Sequence, residues 1–326
     1  MRNIFQEGKM FFATSYREDE IDALKAAKPK NILASHAMWR TKKRDYCLKK
    51  RLIDRIGYTP ELIYVDCGSF SYGNFDLGLD EMIETYVEMK EEDAEDLGEE
   101  FTFDIDNPRD LMYFVDWYFR EFDEDNYLHN PTHFSPFQQY IHFLWWNARY
   151  YDYCFSFDKL GDNEVSLLAY KILNAMHFPV IPVFQATNII CWDDRSKSVS
   201  ENASDYDILD YYASQTDYIA IGGTAIRNAK GYTKSKRIEI VRNIIAKYPD
   251  KKFHLLGTLD DEIVEACPEL YSFDGQCWLQ KVKKEEGKVE KSVRYVQSKI
   301  NWFDERKIED SNQFTVTKKG QISFCL

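Results

Sequence analysis

The feature that most restricts how this chain can fold is a series of short apolar runs, each closed by a polar or glycine residue and followed by a helix-like stretch. Eight runs are strand candidates: residues 9–14 (KMFFAT), 31–36 (NILASH), 62–66 (LIYVD), 153–158 (YCFSFD), 179–184 (PVIPVF), 218–222 (YIAIG), 253–257 (FHLLG) and 270–274. Runs this short, bounded by Gly, Pro and Asp, suit strands buried on both faces, where the alternation of a half-exposed sheet is lost. Helix-like stretches lie between them, among them 163–176, 205–214, 235–248 and 260–267. Strand alternating with helix is the pattern of a parallel sheet. Eight such units favour closure, so the expected fold is α/β, a (β/α)8 barrel.

Residues 1–280 are read as the barrel, with an insertion at about 75–150 after the third strand. The insertion holds an acidic segment and then an aromatic stretch, HNPTHFSPFQQYIHFLWWNARYYDY. It reads either as a lid or substrate wall or as an acidic helical hairpin with a structural duty. Residues 281–326 form a C-terminal extension packed on the barrel, in which Lys319-Gly320 reads as a hairpin turn. The apolar runs are far shorter than the roughly 20 residues that span a membrane, and the start, MRNIFQEGKMFF, lacks the apolar core of a secretory signal. Seven cysteines without a C-x-x-C pair favour free thiols in a reducing cytoplasm.

A net charge of −13 argues against a nucleic-acid partner. The average conceals a segregation, because residues 76–126 hold 20 Asp and Glu against Lys90, Arg109 and Arg120, which leaves +4 on the remainder. Two basic runs, Arg40 to Arg55 and Lys281 to Lys299, read as solvated helix faces or as a phosphate-contacting surface.

Three of the runs deliver an aspartate, Asp66, Asp158 and Asp274, where a barrel strand would stop. Barrel active sites are built from those C-terminal strand ends. Carboxylates there can accept hydrogen bonds, hold a hard metal, or attack a sugar's anomeric carbon. The chain has no phosphate-cradling Gly-rich loop with lysine to accompany a Mg2+ site, and any single Asp after a strand can simply cap the next helix. Gln185 and Gly222-Gly223 stand at further strand ends. An acceptor pair from Asp, an amide side chain and a backbone N–H would complement the polar edge of guanine.

The ordered set resembles the queuine tRNA-guanine transglycosylase superfamily. The segments carrying the resemblance are Asp66-Cys67-Gly68-Ser69-Phe70-Ser71, Phe157-Asp158-Lys159, Phe184-Gln185-Ala186, Ile221-Gly222-Gly223-Thr224-Ala225, Leu255-Leu256-Gly257 and Phe273-Asp274-Gly275. The resemblance implies a (β/α)8 enzyme, a pentosyltransferase exchanging guanine in a polynucleotide for a free 7-deazaguanine base. Asp274 would be the nucleophile and Asp66 the general acid/base, with mutual repulsion raising the pKa of Asp66. Asp158, Gln185, Gly222, Gly223, Leu256 and Gly257 would hold the base, Phe70 would stack on it, and His36 and Cys67 would lie near the substrate.

Departures from the family pattern shift the implied polymer. Only Cys277 and Cys325 follow Asp274, with no histidine after His254, so the family's structural zinc is not expected and no cofactor is implied. His129 and His133 have a metal-like spacing, but Pro131 between them argues against a helical pair. The stretch after Asp274 also lacks the arginines of the tRNA enzymes. The closest resemblance is therefore to the phage-type DNA-guanine transglycosylases, with DNA as partner and tRNA as the alternative. A non-catalytic barrel that binds nucleic acid or protein is the rival from another class.

Overall fold

The computed structural model describes residues 3–36, 47–68, 78–122, 126–127, 130, 133–192, 197–201, 203–225, 232–275 and 288–322. Nine parallel strands form one sheet: β1 (Lys9–Thr14), β2 (Asn31–Ser35), β3 (Leu62–Asp66), β4 (Tyr153–Phe155), β5 (Val180–Ile181), β6 (Val183–Gln185), β9 (Tyr218–Gly222), β10 (Lys252–Leu255) and β11 (Ser272–Gly275). A separate antiparallel pair, β7 (Thr187–Trp192) and β8 (Lys197–Glu201), follows β6. The order in the large sheet is β5-β4-β3-β2-β1-β11-β10-β9-β6. Its two edges, β5 and β6, belong to one stretch of chain broken only by Pro182, which has no N–H to give a ladder. The Pro182 carbonyl still accepts from Ala220 N at 2.8 Å. Strand β5 pairs with β4 and β6 with β9, so the sheet curls into a nearly closed barrel.

Alternation along each strand sorts side chains into two cores. Phe11, Ala13, Leu33, Tyr64, Phe155, Ile181, Val183, Tyr218 and Ala220 fill the barrel interior. Their sequence neighbours, such as Met10, Phe12, Ile32, Ile63, Val65, Ile219 and Ile221, pack outward against the helices. Burying each large apolar side chain is worth about 1.5–3 kcal/mol, so both faces of the strands contribute to stability. The same parity places Asp66 above Tyr64, Gln185 above Val183, Gly222 above Ala220 and Asp274 above Ser272.

The sequence-expected strands are present with shifted ends. Strand β4 stops at Phe155 and β10 at Leu255, and the pair β7/β8 was not anticipated. The acidic half of the insertion is two helices, Leu79–Leu97 and Pro108–Glu121, the second started by Asn107 capping Arg109 N with Pro108 in the first turn. Tyr86 holds them together by edge contacts with Phe103, Phe114 and Phe101, and Lys171 of the barrel helix Asn163–Ala175 pairs with Asp106. The aromatic half gives helix Pro136–Trp146, opened by a Ser135/Gln138 capping box. Its Tyr140 hydroxyl donates to Phe155 O at 2.8 Å, which fixes the helix against the barrel wall.

The C-terminal stretch corrects one expectation. Helix Lys288–Ile322 runs through Lys319-Gly320, where a hairpin turn was expected. Trp302 and Phe303 anchor this helix on Phe5 and Phe273. Once a helix is nucleated, carrying it past one glycine costs only about 1 kcal/mol. Among the described residues no helix is long and apolar enough to cross a membrane. Cys47, Cys67, Cys154 and Cys267 are free thiols.

Candidate active site

Asp66 is the last residue of β3, and its carbonyl accepts from His36 N at 2.7 Å, so the ends of β2 and β3 are tied together. Its carboxyl is pushed up from 3.8 to about 8 by burial first, then by the charges of Asp158 and Asp274, against the opposing effect of the Gly68 N–H. Asp158, 5% exposed, accepts from the Cys67 thiol at 2.9 Å and from Gln185 Nε2 at 2.5 Å. Burial, with Asp158 and Asp66 nearby, raises the Cys67 thiol well above its ordinary value. Donor atoms of Asp66, Cys67 and Asp158 all lie within 4.8 Å of one another, a group able to hold a cation.

Gln185 is positioned by its own backbone, whose N–H donates to Asn163 Oδ1 at 2.7 Å while its carbonyl accepts from Asn163 Nδ2 at 3.0 Å. Gly222 pairs with Gln185 in register, and a Cβ there would sit 2.7 Å from Gln185 Nε2, so the glycine makes room for the amide. Gly223 turns the chain at φ 74°, and its carbonyl accepts from Thr187 Oγ1 at 3.1 Å.

Asp274 sits opposite, on β11, 3% exposed. Its Oδ1 accepts from Gly257 N at 2.9 Å and lies 3.1 Å from His254 Nε2. Gly257 can aim its N–H there because it adopts φ 75°, a conformation open to glycine. Leu256 lies against the interior cluster. His36 is 1% exposed and packed between the rings of Tyr140 and Phe143 at 5.2 Å each, a core position at the end of β2.

The structure thus gathers Asp66, Cys67, Asp158, Gln185 and Gly222 on one side of the mouth and Asp274 with Gly257 on the other. Phe70, His129, Cys277 and Trp278 lie outside the described residues, as do residues 37–46 and 281–287 of the basic runs. Gln185 and Asp158 bond each other, whereas the sequence reading had both facing a base.

Two groups were missed by sequence reasoning. His254 and Ser272 stand two residues before Leu256 and Asp274, so the period of two placed them inward below the mouth. Tyr16, just past β1, takes φ 62° although it is not glycine. Glu20 holds that turn by accepting from Thr14 Oγ1 at 2.9 Å and from Ser15 N and Oγ at 2.6 Å each. Burial first, then the charges of Asp66 and Glu20, raises the Tyr16 hydroxyl well above its ordinary value.

Comparison with known proteins corrects the family expectation. No family model and no curated protein matches the chain. Solved structures that align with it include a 4-hydroxy-2-oxoglutarate/2-dehydro-3-deoxyphosphogluconate aldolase at 9% identity, covering 91% of this chain and 96% of that one with a TM-score of 0.38. A Coccidioides immitis protein assigned as a fructose-1,6-bisphosphate aldolase aligns at 10% identity over 92% and 90% with a TM-score of 0.41. A 2,3-dimethylmalate lyase of the PEP mutase/isocitrate lyase superfamily aligns at 7% identity over 96% and 95% with a TM-score of 0.38. At these scores none lends its activity to this chain. They are aldolases and a lyase, and no family model and no curated protein supports the transglycosylase resemblance. Guanine exchange on DNA or tRNA, the pentosyltransferase class and the phage and DNA-binding assignments are withdrawn, and the non-catalytic binding barrel gains no support in their place.

Proposed function

We propose that the chain is an enzyme that transfers protons at the barrel mouth, with Asp66 as general acid and Asp274 as its partner. The observation that carries this reading is the carboxyl of Asp66, raised to about 8 by burial and by two convergent carboxylates. A carboxylic acid that keeps its proton near neutral pH can donate it to a leaving or developing anion. Perturbed groups of this kind cluster at functional sites. With Asp158 and Asp274 adding negative charge, the mouth favours small neutral or cationic substrates rich in N–H or O–H donors.

A second reading rests on the Asp66, Cys67 and Asp158 group. A divalent cation there would neutralise the carboxylates and admit anionic substrates. Both readings are tested by a turnover panel of glycosides, amines and hydroxy acids, run with and without Mg2+ or Mn2+, on the wild type, Asp66→Asn and Asp274→Asn. General acid–base work predicts losses of about 10²- to 10⁴-fold in each variant. Turnover that both variants retain would defeat the proposal.

A further inference from the structure

Below Asp274 a line of polar groups runs down the inside of the barrel, where apolar side chains would serve packing better. His254 Nε2 faces Asp274 Oδ1 at 3.1 Å, and its Nδ1 lies 2.6 Å from Ser272 Oγ. Ser272 Oγ is 2.5 Å from the Tyr218 hydroxyl, which is 3.5 Å from the Tyr64 hydroxyl. His254 and Ser272 are fully buried and Tyr64 and Tyr218 nearly so, amid Phe11 and Phe155. Buried polar groups are retained at a cost unless every member is satisfied, and here each has a neighbour at hydrogen-bond distance or at its limit.

We propose that Ser272, Tyr218 and His254 form a positioning relay for Asp274; the inference rests on the acid–base reading of the mouth. With its proton on Nε2, His254 donates to Asp274 Oδ1 and leaves Nδ1 to accept from Ser272; the single Tyr218 proton then goes to Ser272 at 2.5 Å in place of the longer 3.5 Å contact with Tyr64. The other neutral tautomer would set two lone pairs against each other across 3.1 Å. A histidine's second nitrogen fixes the tautomer of the first. Ser272 is 0% exposed and so acts on the tautomer, never on substrate. Both His254 and Gly257 reach Oδ1, and among the described residues no hydrogen bond reaches Oδ2. The relay therefore locks one oxygen of Asp274 and presents the other to the mouth.

The deciding experiment is nitrogen-15 NMR of the full-length wild type with labelled histidine, which needs no variant to fold. A proton on Nε2 of His254 with Nδ1 bare is expected, and a proton on Nδ1 with Nε2 bare overturns the relay. Ser272→Ala is expected to shift the His254 Nδ1 resonance, because that nitrogen loses its donor, and to lower kcat by about tenfold to a hundredfold at unchanged KM. Ser272→Thr, which keeps the hydroxyl, is expected to restore both. If Asp66→Asn and Asp274→Asn abolish turnover while Ser272→Ala leaves kcat and the Nδ1 resonance unchanged, the relay fails and the acid–base reading stands. If those two aspartate variants keep full turnover, the acid–base reading fails, and with it the catalytic role of the relay.

Discussion

Replacing Asp66 with asparagine should make the protein more stable above neutral pH and flatten its stability-against-pH curve. The carboxyl has an ordinary value of 3.8 and rises to about 8 in the fold, because burial and the charges of Asp158 and Asp274 oppose its ionisation. Between those values the folded chain keeps a proton that the unfolded chain has lost. The unfolded state is favoured progressively as pH rises, with a slope of about −1.4 kcal/mol per pH unit. The stabilising contribution is fully present below pH 3.8 and is lost through pH 8. The full span of about four units is worth up to about 5–6 kcal/mol, a large share of a typical folding free energy. Asparagine has nearly the same shape and no charge to lose, so Asp66→Asn should gain several kcal/mol over the wild type at pH 8–9 and only about 1–2 kcal/mol at pH 5. Urea unfolding of both proteins from pH 5 to 9 measures the difference directly. Parallel curves for the two proteins, or a variant less stable at pH 9, would refute the reasoning.

Four further outcomes follow from single observations. Gly257→Ala should lose about 2 kcal/mol or more in denaturant unfolding, and turnover with it, because alanine at φ 75° is strained and its Cβ would meet the Ala225 Cβ at 2.7 Å. Glu20→Ala should cost about 3 kcal/mol by the same measurement, since it leaves Thr14 and Ser15 donors buried without their acceptor. Burial pushes His142 down from 6.5 to about 3, and it stacks on Phe122 at 3.3 Å; its contribution is present above pH 6.5 and lost as pH falls toward 3, up to about 4–5 kcal/mol, so His142→Phe should flatten acid unfolding between those values. Cys67 should resist a thiol-specific colorimetric reagent at pH 8 in the folded protein and react on unfolding, because burial keeps its proton in place.

The barrel was legible because strands buried on both faces leave a plain mark: short apolar runs that stop at Asp, Gln or Gly. The positions of Asp66 and Gln185 at strand ends and of Asp274 one residue short of one followed from that mark, whereas β4 stops three residues before Asp158. What the runs do not encode is which side chains of neighbouring strands meet at the mouth. The contact between Asp158 and Gln185 joins two strand ends 27 residues apart, and His254 to Asp274 joins another pair 20 apart. Strand β8, KSVSE, carries too weak a β signal to be read alone, and it exists by pairing with β7. Tyr16 is illegible for a different reason: its left-handed backbone is imposed by Glu20, four residues on, and not by any property of tyrosine.

The same physics explains why a family resemblance could be read from six motifs and then find no support. Every parallel barrel must end its strands where the chain turns outward, and those turns recruit Asp for capping and Gly for left-handed backbone. Gly223 at φ 74° and Gly257 at φ 75° are such turns. Gly222 is there because Gln185 Nε2 would otherwise be struck at 2.7 Å. An ordered set of Asp, Gln and Gly-Gly at strand ends is therefore expected of many barrels without common descent. Beneath the mouth of this chain lies an inward column, where Tyr64, Tyr218, Ser272 and His254 form a hydrogen-bonded line ending on Asp274 in place of apolar filling. The hydrogen bonds within that column offset the cost of burying four polar side chains, and the line they make ends on Asp274. The chemistry of the chain is therefore to be sought from Asp274 downward as well as from Asp66 across the mouth.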